Sequence, residues 1–251
     1  MPRHPWPEPG HRLLNLLVMA ALCFTLGGLP QDVRGQAKPE PSTLKIGIIG
    51  AGNIGGAVGA LWVKAGHQVL FSSRNPENLK PLADRLGPLA RAGTVREALA
   101  FADAVFIAVP YGAYPQIGKD YEPELAGKIV LDAGNAVLAR DGEISKEVRE
   151  IGIGATSTKY LPQARIVRAF NTLGSRIVTE TAHRPGERMA IPIAGDDKEA
   201  LALASRWVRD AGFDPVIIGS LESAKLFAQG GPLYGQQITA SEMQSRLRKL
   251  Q

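Results

Sequence analysis

From Leu44 onward the sequence predicts an α/β protein: a doubly wound, mostly parallel sheet in a single domain, with a short C-terminal helical extension. Three observations lead there. Short β-branched, apolar runs alternate with helical patterns along most of the chain. Several of those runs are apolar throughout, as strands covered on both faces must be. The first run ends in a glycine-rich turn that opens a helix, the entry to a strand–helix–strand unit.

The elements follow in order. Leu44–Ile49 (LKIGII) is a short apolar strand ended by Gly50. Asn53–Ala65 carries small and apolar residues at helical spacing and is closed by Gly66. Gln68–Ser72 (QVLFS) is the second strand and Pro76–Leu86 a charged amphipathic helix, with a brief third strand at Ala90–Ala92. Val95–Ala102 is helical, Ala104–Val109 (AVFIAV) is a buried strand, and Lys128–Leu131 is the fifth. Further strands are expected at Arg165–Ala169, Met189–Ala194 and Pro215–Ile218, with a helix at Asp197–Ala211 between the last two.

Bulk properties exclude several classes. At 251 residues, 45% hydrophobic and 21% charged, the chain has the composition of a folded domain rather than of a disordered one. The net charge of +5 is spread over scattered Lys and Arg, with no basic run interleaved with aromatics, so nucleic acid is not an expected partner. The one cysteine, Cys23, lies in the N-terminal apolar stretch, which leaves the rest without disulfide, cysteine-based metal site or thiol nucleophile. His67, in the turn into the second strand, and His183, in a polar loop, read as turn or solvated histidines rather than acid–base catalysts. No metal-ligating constellation is present, and no catalytic side chain is assigned.

Residues 1–37 differ from the rest. A basic start (Arg3, His4, His11, Arg12), an apolar Leu13–Leu29 run and the small-residue exit Gly35-Gln36-Ala37 describe a secretory signal peptide, followed by a linker at 38–43. That reading expects export to the periplasm or cell envelope. An uncleaved anchor, the only route to membrane contact, and a cytoplasmic protein with a misassigned start are the alternatives.

The chemistry rests on Gly50-Ala51-Gly52-Asn53-Ile54-Gly55, a G-x-G-x-x-G directly after a strand and at the opening of a helix. Gly50 allows the tight turn, Gly52 lets the backbone approach a pyrophosphate, and Gly55 lets helix and strand pack closely. Together they mark a Rossmann dinucleotide site across residues 44–220, with 221–251 expected to complete the crevice. The second strand ends in Ser72-Ser73-Arg74, with no acid for a ribose 2′-hydroxyl. Hydroxyls and a guanidinium suit a 2′-phosphate, which selects NADP(H) over NAD(H). No Tyr-x-x-x-Lys occurs, which argues against a short-chain dehydrogenase relay. About thirty residues follow Ser220, too few for the large helical domain of hydroxyacid-type reductases.

Taken in order, KIGIIGAGNIGGAVG (45–59), SSRNPENL (72–79), AVFIAVPYGAYP (104–115), LDAGN (131–135), RAFNTLGS (168–175), IAGDD (193–197) and LFAQGGPLYG (226–235) resemble the deazaflavin-dependent NADP reductase family. The same fold resembles the cytosolic domain of the transmembrane metalloreductases. The resemblance implies an oxidoreductase that passes hydride between NADPH and a small-molecule ring acceptor, the 8-hydroxy-5-deazaflavin coenzyme or a flavin. It implies cofactor contacts at Gly50, Gly52, Asn53, Ile54, Gly55, Ser73 and Arg74, with Val109 and Pro110 flanking the nicotinamide ribose. Asn135, Asn171 and Thr172 would line the acceptor crevice. Hydride transfer between two rings asks for proximity rather than a side-chain nucleophile. A homodimer is compatible with this reading. The rival readings are a non-catalytic NADP(H)-binding sensor or interaction domain and a flavin-mediated ferric or cupric reductase.

Overall fold

Parallel strands buried on both faces need a continuous apolar sequence, and the strands at the centre of this molecule have one. The computed structural model describes residues 43–250, so the signal and anchor expectations, with residues 38–42 of the linker, lie outside the described residues. Eight strands form one sheet in the order β3-β2-β1-β4-β5-β6-β7-β8. They are β1 (Lys45–Ile49), β2 (Gln68–Ser72), β3 (Ala90–Gly93), β4 (Ala104–Ile107), β5 (Ile129–Asp132), β6 (Arg165–Arg168), β7 (Ala190–Gly195) and β8 (Asp214–Gly219). The first six are mutually parallel. β7 runs antiparallel to β6, and β8 follows β7 in parallel. The sheet is therefore mostly parallel, as expected, and the reversal is confined to one edge.

Helices cover both faces. On one face lie α1 (Asn53–Lys64), α2 (Lys80–Leu86), α8 (Ser175–Thr181) and α9 (Lys198–Asp210). The other carries α3 (Val95–Phe101), α4 (Tyr114–Leu125), α5 (Leu138–Asp141), α6 (Glu143–Ile151), α7 (Ile153–Tyr160) and α10 (Ala240–Arg248). Side chains alternate along each strand between the two cores. Ile46, Ile48 and Phe106 meet Trp62, Phe170, Trp207 and Phe213 on the first face. Ile49, Val105 and Ile107 meet Tyr111, Tyr114, Leu125 and Phe227 on the second.

Local chemistry sets the helix starts. Thr94 and Glu97 form a reciprocal capping box at α3, and Thr239 and Glu242 form another at α10. Asp197 caps α9 by accepting from the Ala200 N–H. Boundaries move where prolines intervene. The expected Pro76–Leu86 helix is a 3₁₀ turn, Pro76–Leu79, followed by α2. The AVFIAV strand stops at Ile107, which leaves Val109 and Pro110 in the turn beyond it. The chain between β5 and β6 holds three short helices that periodicity alone did not resolve, because Gly142 and Gly152 break it at positive φ. The last thirty residues pack into the second core through Phe227, Leu233 and Met243, and the Ala190 N–H donates to the Ile238 carbonyl.

His67 sits in the expected turn but is buried, not solvated. Its Nδ1 accepts from the Leu44 N–H at 3.3 Å and its Nε2 lies 3.0 Å from Asp210. It is a tie between β1 and α9. His183 lies in an exposed loop at positive φ.

Candidate active site

The chain leaves β1 for β2 on one side and returns to β4 on the other, so the sheet order reverses between β1 and β4. Such a switch point opens a crevice at the carboxyl ends of the strands. The glycine turn after β1 and the Ala108–Pro110 turn after β4 flank it.

The three glycines of the first turn differ in what surrounds them. Gly50 adopts φ 93°, and a Cβ there would collide with Val109 and sit 2.7 Å from the Ala108 carbonyl. A Cβ on Gly55 would collide with the Gly50 carbonyl. Both are glycine because the protein's own backbone requires it. Gly52 is different: a Cβ there meets nothing within 4 Å. No packing inside the protein explains that glycine, whereas a ligand approaching the backbone does.

Gly52 is also the N-cap of α1, with no side-chain cap and no acid in the first turn. The N–H groups of Gly50 and Ala51 are spent on the Ser72 carbonyl, and the first intrahelical bond runs from Gly56 to Gly52. The leading donors of α1 therefore face the crevice, where an anion would meet them and the helix dipole. At the end of β2, Ser72 turns inward and donates to the Ile48 carbonyl, so it is structural. Ser73 is half-buried, its Oγ accepting from the Asn75 N–H, and Arg74 is exposed, with no acidic partner among the described residues.

The far wall is built from the ends of β5 and β6. Asn135 donates to the Asn171 carbonyl at 2.6 Å, and Asn171 Nδ2 donates to Asn135 Oδ1 at 3.2 Å and to the Phe227 carbonyl at 3.0 Å. The structure thus joins Asn135, Asn171 and the C-terminal segment. Asn171 Oδ1 and Thr172 Oγ1 are buried without a hydrogen-bond partner. Orphaned polar atoms of this kind are costly and mark places completed by something else. The turn that presents them is strained: Phe170 has φ 59°, rare for a bulky residue. Its ring is held edge-on by Trp62, Phe106 and Phe213, which over-determine the conformation.

Beneath this wall lies a buried polar network whose Asp132 and Arg168 fall within the LDAGN and RAFNTLGS segments but carry no expected role there. Asp132 and Arg168, both 0% exposed, pair at 2.6 Å across β5 and β6. Asp132 also accepts from Tyr114 (2.5 Å), Ser157 (2.6 Å) and the Gly134 N–H (2.8 Å). Arg168 Nη2 donates to the Gly134 carbonyl. Tyr111 stacks on Tyr114, and its hydroxyl lies 2.8 Å from Ser157 Oγ. Burial, reinforced by the Asp132 charge, pushes both tyrosine hydroxyls above their ordinary range, so they remain phenols. Burial is the largest influence and opposes the Arg168 charge, but Asp132, through its charge and its hydrogen bond, and the two tyrosine hydroxyls together outweigh it and raise the guanidinium. The charged ends of otherwise apolar KIVLD and RIVR runs were the available signal. A second clasp, Asp141, accepts from the Gly112 and Val137 N–H groups, while Arg140 holds the Asn135 carbonyl. It links the turn after β4 to the turn after β5.

Among the described residues no group of three His, Cys, Asp or Glu could hold a metal, and no helix is long and apolar enough to cross a membrane. What the crevice offers is backbone donors, hydroxyls, amides and the exposed Arg74 guanidinium. That set fits a dinucleotide, because the cradle at Gly52 is a space that a Cβ would fill.

Comparisons with known proteins agree. Residues 45–136 match the family model described as NADP oxidoreductase, coenzyme F420-dependent. The chain is 30% identical over 185 residues to Metalloreductase STEAP3 of Rattus norvegicus, covering 72% of this chain and 35% of that one. It is 26% identical over 202 residues to Metalloreductase STEAP2 of Mus musculus, covering 78% and 37%. The chain therefore spans about a third of the length of these curated relatives. Among solved structures, a hypothetical protein of Sinorhizobium meliloti superposes with TM-score 0.66 at 28% identity, over 78% of this chain and 95% of that one. A putative F420-dependent NADP reductase of Arthrobacter superposes with TM-score 0.62 at 21% identity, over 72% and 87%, and shares the fold. Residues 45–136, which hold the glycine turn, the switch point and the start of the far wall, are thus similar to the coenzyme F420-dependent NADP oxidoreductases.

Proposed function

We propose that this protein transfers hydride from NADPH to a ring acceptor, a flavin or the 8-hydroxy-5-deazaflavin coenzyme. The observation that carries the reading is Gly52: a glycine that the protein does not need, at an uncapped helix start, beside Ser73 and Arg74. In this reading the pyrophosphate lies on the leading N–H groups of α1, at Gly52, Asn53, Ile54 and Gly55. Ser73 and Arg74 take the 2′-phosphate. The nicotinamide half runs between Val109–Pro110 and the turn at Asn135, and the acceptor ring stacks along Asn135, Asn171 and Thr172. When bound, the dihydronicotinamide supplies the hydride. The residues bind, align and exclude water, so no side-chain acid or base is required.

The similarity to metalloreductases favours a second form of the same reading, in which a bound flavin passes electrons on to ferric or cupric ion. NADPH oxidation followed at 340 nm, with the deazaflavin coenzyme, free flavin, or flavin plus ferric citrate as acceptors, separates the two. Turnover with the deazaflavin coenzyme or flavin alone and no faster with metal supports ring-to-ring transfer as the end of the reaction, and ferric reduction that depends on added flavin supports the second form. NADPH binding with no turnover on any acceptor identifies a sensor domain instead.

A further inference from the structure

We propose that the buried Asp132–Arg168 pair is a positioning device for the nicotinamide half of the dinucleotide, acting by locking the turn Ala133–Asn135. The inference rests on the dinucleotide reading above and assigns work to residues that the reading leaves unused.

The pair is an expensive way to hold two strands together. Asp132 and Arg168 are register partners on neighbouring strands that already share a backbone ladder. Burying both charges costs more than an apolar pair of similar volume, so stability alone does not favour them. Arg168 even leaves its buried Nε without a hydrogen-bond partner. The arrangement makes sense through what it grips. Both polar groups of Gly134 end on the pair, its N–H on Asp132 and its carbonyl on Arg168. The remaining side of Gly134 is closed by the stacked tyrosines: a Cβ there would lie 2.8 Å from the Tyr111 ring and 2.9 Å from that of Tyr114. The turn can neither flip nor bulge.

From Gly134 the constraint passes in two directions. The Ala133 N–H donates to the Ile107 carbonyl at 3.0 Å, at the end of β4 and two residues before Val109. Asn135 continues into the reciprocal bonds with Asn171. One buried pair thereby sets the spacing between the two walls of the crevice. Transfer between two rings tolerates little error in that spacing, since a displacement of about 1 Å can cost on the order of a hundredfold in rate.

The test needs no acceptor. In the purified full chain, affinity is measured for NADPH and for 2′,5′-ADP, which carries the adenine half and the 2′-phosphate but no nicotinamide. Wild type is compared with the double variant Asp132→Leu/Arg168→Met, which replaces the pair by apolar side chains, and with Arg168→Lys, which keeps the charge but loses the fork. The double variant should melt below wild type, because Tyr114, Ser157 and both polar groups of Gly134 lose their partners. At a temperature where it is folded it should bind 2′,5′-ADP within about twofold, while NADPH affinity falls about tenfold or more. Anisotropy decay of the bound dihydronicotinamide should show a freer ring. Arg168→Lys should show the same selective loss, less severe, because one ammonium cannot satisfy both Asp132 and Gly134.

A double variant that binds NADPH as wild type does would overturn the proposal. So would a parallel loss of both ligands, which would make the pair a structural element only. Should the double variant not fold, Arg168→Lys decides by the same criterion: selective loss of NADPH supports the positioning role, and equal losses reject it. Wild type binding neither ligand would reject the dinucleotide reading itself, and the proposal with it.

Discussion

The turn after β1 and the turn after β5 stand at equivalent places on the carboxyl edge of the sheet, yet they are built in opposite ways. The first is bare. Gly52 has open space where a side chain would be, and the helix behind it has no side-chain cap. The second is filled by Asp132, Arg168, two stacked tyrosines and Ser157 packed under Gly134. A site that must take a polyanion against its backbone works by leaving backbone free. A wall that must stay in place while ligands come and go works by satisfying its backbone from below. The same residue type, glycine, serves both turns for unrelated reasons: at 52, in the proposed function, to admit a ligand, and at 134 to admit the protein's own tyrosines.

That contrast can be broken at several points, the most severe first. Gly52→Val should abolish NADPH binding and leave the thermal transition unchanged, whereas Gly55→Val should unfold the domain, because its side chain collides with the Gly50 carbonyl. Nucleotide titration and melting of the two variants side by side test this; equal loss of fold in both would erase the distinction between ligand glycine and packing glycine.

Arg168→Ala alone should cost roughly 3–5 kcal/mol of stability, because it leaves Asp132 buried and unpaired. Urea unfolding measures it, and a loss under about 1 kcal/mol would mean that water already solvates the network. The corresponding change on the bare side is milder and selective. Arg74→Ala should weaken NADPH binding by about 1.5–3 kcal/mol, the range for a hydrogen bond to a charged group, with NADH binding nearly unaffected. Equal losses for both cofactors would remove Arg74 from the 2′-phosphate site.

The smallest effect concerns the Asp141 clasp between the turns after β4 and β5. Burial works against its charge, but bonds from Arg140 and from the Val137 and Gly112 N–H groups win and hold its carboxyl below the ordinary range. A carboxylate depressed on folding contributes stability that is full above its unfolded value of about 4 and is lost as pH falls through the folded one. Asp141→Asn should therefore be less stable than wild type at neutral pH, by about 1 kcal/mol, and the gap should close under acid. Denaturation at pH 7 and pH 3 gives the comparison, and a gap that persists at low pH would assign the effect to shape rather than charge.

Much of this molecule could be read from its letters. Strands β1, β2 and β4 are short apolar runs, the first two flanked by glycine, and burial on both faces suits them. The glycine turn and the Ser73-Arg74 end of β2 are local in sequence because the crevice uses neighbours along the chain at that side. The far wall is not local. Asp132 and Arg168 are 36 residues apart and look like ordinary charges at strand ends; only the β5–β6 register sets them opposite each other. Phe170 gives no sign in the sequence of a left-handed backbone, since nothing in an Ala-Phe-Asn-Thr run asks for one. The conformation is imposed by three aromatic neighbours drawn from α1, β4 and the residue just before β8. His67 likewise reads as a turn residue and becomes a buried tie only because α9 brings Asp210 to it. Sequence alone determined what depends on periodicity, on glycine's missing Cβ and on residues a few positions apart. Tertiary structure decided which distant charges would share a low-dielectric space, because the cost of burying one is met only by the partner that folding brings to it.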